Sequence, residues 1–301
     1  MVGKPEELTP TDWLKKYMDA AIDCVAITDH NGGAWVDRLR SDYESLEQSP
    51  PDWFRPLTLF PGVELSVNHG IHVLAIFGPD ATTSTIDTLL GAVGYGGTKG
   101  DPLVRTSKSC LEVARIIADH DGLCIPAHVD IENGLLKATT DGRLEGDSPT
   151  VRELLQSGYL AAIEVRDASW TPPGLYNDAK VELPWLLATD CDNFRGSRPP
   201  GSHYTWIKMG QPTLEGLRLA LLDGKPLSVL RSDEATSDPN NHADIVIESM
   251  SVDTLRHMGR PSPAVTDFSP WLTCLTGPAR TLGAGGKLDD WRYCVVAVTS
   301  S

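Results

Sequence analysis

Five short aliphatic runs carry, at one end, a group able to hold a metal ion. The run CVAIT ends in Asp29-His30, and LFPGVEL carries Glu64 near its end. IHVLAIF begins with His72, eight residues after Glu64. LCIPA ends in His128, and WLLAT ends in Asp190-Cys191-Asp192. Imidazole nitrogens and carboxylate oxygens are the donors of Zn, Mn and Fe sites, and mixed sets with a bridging carboxylate suit centres of more than one ion. A lone histidine at a strand end is ordinarily a satisfied polar group, and Glu64 alone would pair with an arginine. As a set, the strand-end preference points to metal chemistry. His69, His120, His203, His242 and His257 fall on a helix, in loops or in the tail and are read as ordinary polar residues.

The elements that position these groups follow from the hydrophobic periodicity. LTPTDWLKKYMDAAID opens with a helix start signal: Thr9 as N-cap, Pro10 at the first helical position, and Asp12 at capping-box spacing. Leu14, Tyr17, Met18 and Ala21 then share a face. CVAIT reads as a strand and GAWVDRLRSDYESL as a helix. PLTLFPGVEL and IHVLAIF are strands separated by SVNHG, and the Gly-rich residues 91–105 form an exposed loop. SCLEVARIIADHDG is an amphipathic helix that stops at Gly122, and LCIPAHV is the strand after it. TVRELLQSG (helix), LAAIEVRD, PWLLATD and YTWIKM (strands), TLEGLRLALLDG (helix) and PLSVLRSD (strand) continue the pattern. Such alternation over roughly 220 residues predicts parallel βαβ units closed into a barrel. Function in such barrels gathers at the carboxyl ends of the strands.

The 301 residues are 41% hydrophobic and 22% charged, an ordinary globular balance. The formal charge of −15 disfavours a general DNA-binding module, although bound divalent ions would reverse the sign locally. No apolar run approaches the ~20 residues of a membrane span. The six cysteines form no CxxC pairs, and two lie inside strand-like runs, so reduced thiols and a cytoplasmic location are expected. After residue 233 the texture changes: SDEATSDPNNHAD is a linker, and GPARTLGAGGKLDDWRYCVVAVTSS has no clear periodicity. The expected division is a hydrolase domain over 1–233, then a linker and the incomplete start of a second domain over 234–301.

AIDCVAITDHN, FPGVELSV with GIHVLAIF, IPAHVD and LLATDCDNF together resemble successive motifs of the PHP (polymerase and histidinol phosphatase) superfamily. Within it, DWLKKYMDAAIDCVAITDHNGGAWVDRL and GSHYTWIKMG resemble the front region of TrlF-type proteins, which carry an AAA-like ATPase behind it. The resemblance implies a distorted (βα)7 barrel with two or three metals, where a metal-bound hydroxide hydrolyses phosphate esters. It implies His30, Glu64 as the bridging carboxylate, His72, His128 and Asp190 as ligands, and divalent Mn, Zn or Fe, one to three ions, as cofactor.

Three departures accompany it. No HxH strand precedes the first helix, so the barrel is expected to lack its first strand. Asp192 stands where a histidine ligand is expected and favours harder metals. Lys287 is followed by Leu288 rather than Ser or Thr, so no P-loop is read. A late start and a frameshift or early stop would produce such a chain. The leading expectation is a phosphoesterase, phosphatase or nuclease, with Asp29 and Arg195 as catalytic candidates and Arg198 as a second phosphate clamp. Its substrate would be a phosphorylated small molecule or a nucleic-acid end, with no membrane involved. The alternative is an impaired PHP domain that serves as a binding module for an ATPase partner.

Overall fold

Thr9 accepts from the Asp12 backbone N–H, while the Asp12 carboxylate takes the Thr9 N–H in return. This capping box starts α1 (Pro10–Asp19), which buries Trp13, Leu14, Tyr17 and Met18. Ala21 departs from the expected face: it lies beyond the helix with φ 58 and is exposed. The chain continues through β1 (Cys24–Ile27), α2 (Val36–Gln48), β2 (Thr58–Val67), β3 (Ile71–Ile76), α3 (Thr83–Ala92), α4 (Cys110–Asp119) and β4 (Leu123–Pro126). It then forms α5 (Leu135–Ala138), α6 (Ser148–Gln156), β5 (Ile163–Val165), α7 (Gly174–Ala179), β6 (Trp185–Leu187), β7 (Thr205–Met209), α8 (Leu214–Asp223) and β8 (Val229–Arg231). Three strands follow in the tail: β9 (Leu255–His257), β10 (Arg260–Ser262) and β11 (Arg292–Thr299). The computed structural model describes residues 8–144, 148–190, 194, 197–225, 227–235, 237–240, 255–257, 260–262 and 292–299. The Gly286-Lys287-Leu288 stretch and residues 236 and 241–244 of the expected linker lie outside them.

The strands form an α/β architecture but not a closed (βα)7 barrel. A seven-stranded sheet has the order β4-β3-β2-β1-β11-β7-β8, and β5 pairs with β6 in a separate two-stranded sheet. The two sheets touch through side-chain and loop bonds. Thr205 Oγ1 on β7 accepts from the Leu187 N–H and donates to the Leu187 carbonyl on β6. On the other side, Ala161 N–H donates to Cys124 O of β4.

Strand direction also departs from the all-parallel expectation. β1 and β2 are parallel, but β3 runs antiparallel to both β2 and β4. The connection from β2 to β3 is three residues, Asn68–Gly70. A parallel return needs a crossover of a dozen or more residues, so so short a link dictates a hairpin.

Both faces of the strands are buried. Val25, Ile27, Val63, Leu65, Val73 and Ala75 pack in the cluster that holds α1, α3 and α4 residues. Cys24, Ala26, Phe60, Leu74, Ile76, Ile125, Leu186 and Ile207 turn to the opposite side, where Leu217 and Leu221 of α8 join them. Cys24, Cys110 and Cys124 are reduced cysteines. Among the described residues, no helix is long and apolar enough to cross a membrane.

The tail, expected to be irregular, contributes the strand beside β1. β11 pairs parallel with β1, Cys24 opposite Val296 and Ile27 opposite Thr299, and antiparallel with β7. It occupies the flank of β1 where the sequence left an unpaired edge. Val296 sits opposite Cys24 of β1 and Thr205 of β7, where a proline would remove a ladder bond, so Val296→Pro is expected to destabilise the fold by about 1–3 kcal/mol. Denaturant unfolding checks this, and an unchanged midpoint would show that β11 does not belong to the sheet.

Candidate metal centre

Alternation along the strands already sorts the candidate ligands. His30 is in phase with Cys24 and Ala26, Glu64 with Phe60, and His72 with Leu74 and Ile76, all of the inner cluster. The inner face therefore ends in a polar layer. Because β3 is antiparallel, its first residues lie at the same end as the last residues of β1, β2 and β4. A histidine that opens a strand thus joins groups that close other strands.

Register completes the placement. Glu64 N–H donates to Asp29 O, and Asn31 N–H donates to Glu64 O, setting His30 and Glu64 side by side as a parallel bridge. Ser66 lies opposite His72 in the hairpin, so Glu64 and His72 sit two positions apart on neighbouring strands.

The donor atoms of His30, Glu64 and His72 all lie within 4.8 Å of one another. Glu64 Oε1 is 2.6 Å from His72 Nδ1 and 3.2 Å from His128 Nε2, and Glu64 Oε2 is 3.8 Å from His30 Nε2. His72 Nδ1 and His128 Nε2 are themselves 3.3 Å apart. Three imidazoles therefore surround one carboxylate that is 2% exposed. Burial raises the Glu64 pKa, but hydrogen bonds from His128 and His72 and the nearby His30 outweigh it and hold the carboxyl well below its usual range. The same contact acts on the imidazole: burial works against charge on His128, yet its hydrogen bond to Glu64 pushes its pKa up to about 9. His30 Nδ1 and His128 Nδ1 are buried with no hydrogen-bond partner among the described residues.

The other candidates are placed differently. Asp29 is buried beside His30, 8% exposed. Asp190, at φ 44, directs Oδ2 to Arg166 Nη1 at 3.0 Å and stands outside the His30–Glu64–His72 group. Arg198 donates to the carbonyls of Ala188 (2.6 Å) and Thr189 (2.9 Å) and approaches His203 Nε2 at 3.3 Å. It holds the two residues that follow β6, so its fork is already engaged by main chain. Asp192 and Arg195 lie outside the described residues.

Two residues of this region were not singled out from sequence. Asn31, fully buried, donates from Nδ2 to Ser66 Oγ, Asp101 O and Val104 O and accepts the Ser66 N–H on Oδ1. It fastens the end of β1 to β2 and to the 101–104 loop, which is more than a turn residue does. Glu164, in the middle of β5, is 2% exposed, and burial with the nearby Asp190 pushes its pKa up to about 8. A glutamate flanked by Ile163 and Val165 in a fully buried strand was the available signal.

These shifts set the pH profile of the metal-free chain. The stability that ionised Glu64 contributes is present above its ordinary value of 4.5 and is lost as pH falls toward its lower folded value. The contribution of protonated His128 is complete below 6.5 and lost as pH rises through about 9. Glu164 keeps its proton to about 8 against 4.5 when unfolded, so folding also weakens over that rise. The melting temperature in chelator is expected to peak near about pH 5 and to fall by several degrees toward pH 9. Thermal melts followed by circular dichroism check this; a flat profile between those values would contradict the assigned pairings.

No family model matches the chain, and no curated protein matches it. Among solved structures, it is similar to the lesion-specific endonuclease Q of Pyrococcus furiosus, with 16% identity and a TM-score of 0.49 over 73% of this chain and 53% of the other. A complex of endonuclease Q with a 27-mer duplex bearing an abasic lesion gives 15% identity and a TM-score of 0.46 over 69% of this chain and 50% of the other. A two-domain protein of Bacteroides vulgatus, containing a predicted PHP-like metal-dependent phosphoesterase, gives 16% identity and a TM-score of 0.43 over 73% and 59%. The chain thus spans between half and three-fifths of the length of these structures.

Proposed function

We propose that the chain is a divalent-metal-dependent phosphoesterase that hydrolyses a phosphorylated small molecule or a nucleic-acid phosphodiester. The observation that carries this reading is the convergence of His30, Glu64 and His72 donor atoms within 4.8 Å, with His128 on the same carboxylate. The donor set fits a divalent transition ion: imidazoles with one buried carboxylate suit Zn, Mn or Fe. The partnerless ring nitrogens of His30 and His128 supply further capacity.

An ion held there would act as a Lewis acid toward water and offset charge on phosphoryl oxygens. Glu64 is ionised at neutral pH and presents both oxygens to the centre. His128 must give up its proton to ligate, so binding releases protons. Asp190 would complete the set if its carboxylate turned from Arg166 to the ion, and the Arg166 guanidinium would then be available for bidentate contact with phosphate. Asp192 is the remaining proposed ligand. Asp29, next to His30, and Arg195 are the proposed acid–base and phosphate-facing groups.

A second reading is favoured by the Arg166–Asp190 ion pair. With Asp190 so engaged, the histidine cluster holds a single ion, and the chain serves as a binding module with little turnover.

Elemental analysis and Mn²⁺ titration, with hydrolysis of bis-p-nitrophenyl phosphate and a short oligonucleotide in parallel, separate these readings. The expected result is bound metal with turnover that drops ~100-fold or more in His72→Ala and Glu64→Gln. Stoichiometric metal without turnover would support the second reading. A folded chain with neither would overturn both.

A further inference from the structure

His128 reaches Glu64 from an unfavourable backbone. Its φ is 29, in the left-handed region that residues with a Cβ avoid. Something must hold it there. Its carbonyl accepts from the Ile131 N–H at 3.1 Å, and Val129 O accepts from the Lys137 N–H at 2.8 Å. A side-chain carbon at Gly134 would run into the His128 carbonyl, so the segment after the turn closes tightly over it.

The remaining bonds come from one residue of β5. Glu164 Oε2 accepts the His128 backbone N–H at 3.0 Å, and the Glu164 main-chain carbonyl accepts the Val129 N–H at 2.8 Å. Glu164 lies between Ile163 and Val165, both fully buried, where an aliphatic side chain would pack without the cost of desolvating a carboxyl group. Among the described residues its Oε1 has no hydrogen-bond partner, so the one bond its side chain makes is to His128.

We infer that Glu164 is a positioning residue: it pins the left-handed turn at His128 and thereby aims the imidazole at Glu64 and His72. The inference rests on reading the cluster as a metal centre for its functional consequence, though not for its geometry. Removing the acceptor leaves a buried N–H unpaired at a residue already in a disfavoured conformation. The turn then relaxes, and His128 Nε2 leaves its place 3.2 Å from Glu64 Oε1.

The test compares Glu164→Gln, Glu164→Ala and Glu164→Asp in the full chain. Gln keeps an acceptor oxygen in place on a group that cannot ionise. Ala removes the acceptor, and Asp keeps the carboxyl group but withdraws it by one methylene. Two readouts are taken: imidazole ¹H–¹⁵N spectra of the metal-free chain, and Mn²⁺ affinity by calorimetry.

The His128 resonances are expected to move in Ala and Asp and to stay in Gln. Mn²⁺ affinity should fall 10- to 100-fold in Ala and Asp and less than about 3-fold in Gln. In a His128→Ala background the added Glu164→Ala change should cost little further affinity. Should the Ala variant not fold, the Asp and Gln variants carry the comparison. Asp behaving as wild type would overturn the inference. Gln losing affinity as Ala does would also overturn it, because Glu164 would then act through its charge as a ligand. A wild-type chain that binds no Mn²⁺, with the spectral pattern intact, would sink the metal-centre reading and support the positioning role.

Discussion

An ionised carboxylate buried to 2% exposure cannot stand alone, and the arrangement around Glu64 follows from that constraint. Its ionised form is kept by three imidazoles from β3 and from the turns after β1 and β4. Those imidazoles would repel one another if all were charged, so the contacts around Glu64 act as one cluster rather than as three independent salt bridges. A divalent cation bound there would supply the positive charge that the imidazoles otherwise provide. In this sense the site is held ready by the same charge that would bind the ion, at the cost of a pH-sensitive fold when the ion is missing.

Gathering these groups requires a particular strand arrangement. An all-parallel sheet would send the opening residue of β3 to the far end of the fold, away from Glu64. The short β2–β3 hairpin reverses the strand and returns His72 to the common end. Burial on both faces then fixes register, because a slip of one residue would exchange the polar layer for aliphatic side chains along the whole strand. Asn31 adds a local lock, since its amide bonds Ser66 and the loop at 101–104 at once. On the other side of β1, the tail strand β11 supplies the ladder partner that a parallel inner strand needs.

Much of this was legible in the residues. Helix α1 follows from Thr9, Pro10 and Asp12, because capping is a contact between residues three apart and needs no distant partner. The strand runs around His30, Glu64, His72 and His128 follow from aliphatic runs and from the polar groups that interrupt them. Asp190 carries a contact that this approach does not reach. Its position at the end of an aliphatic run is as suggestive as that of His128, yet it pairs with Arg166, a residue 24 positions earlier that no local pattern links to it. Arg198 was legible as a cation near the site, but its engagement with the carbonyls of Ala188 and Thr189 depends on how the chain folds back.

Local chemistry, then, was sufficient for the strands that carry the candidate groups and for the alternation that turns them inward. These depend on bonds between near neighbours and on a period of two residues. Strand direction, the insertion of β11 beside β1 and the support of His128 by Glu164 came only with the folded chain. Each is a pairing between segments separated by long stretches of sequence, selected by which edges and buried polar groups remained to be satisfied once the local elements had formed. The histidines could be named one by one from their runs. Their meeting on a single carboxylate is a property of the packed strands.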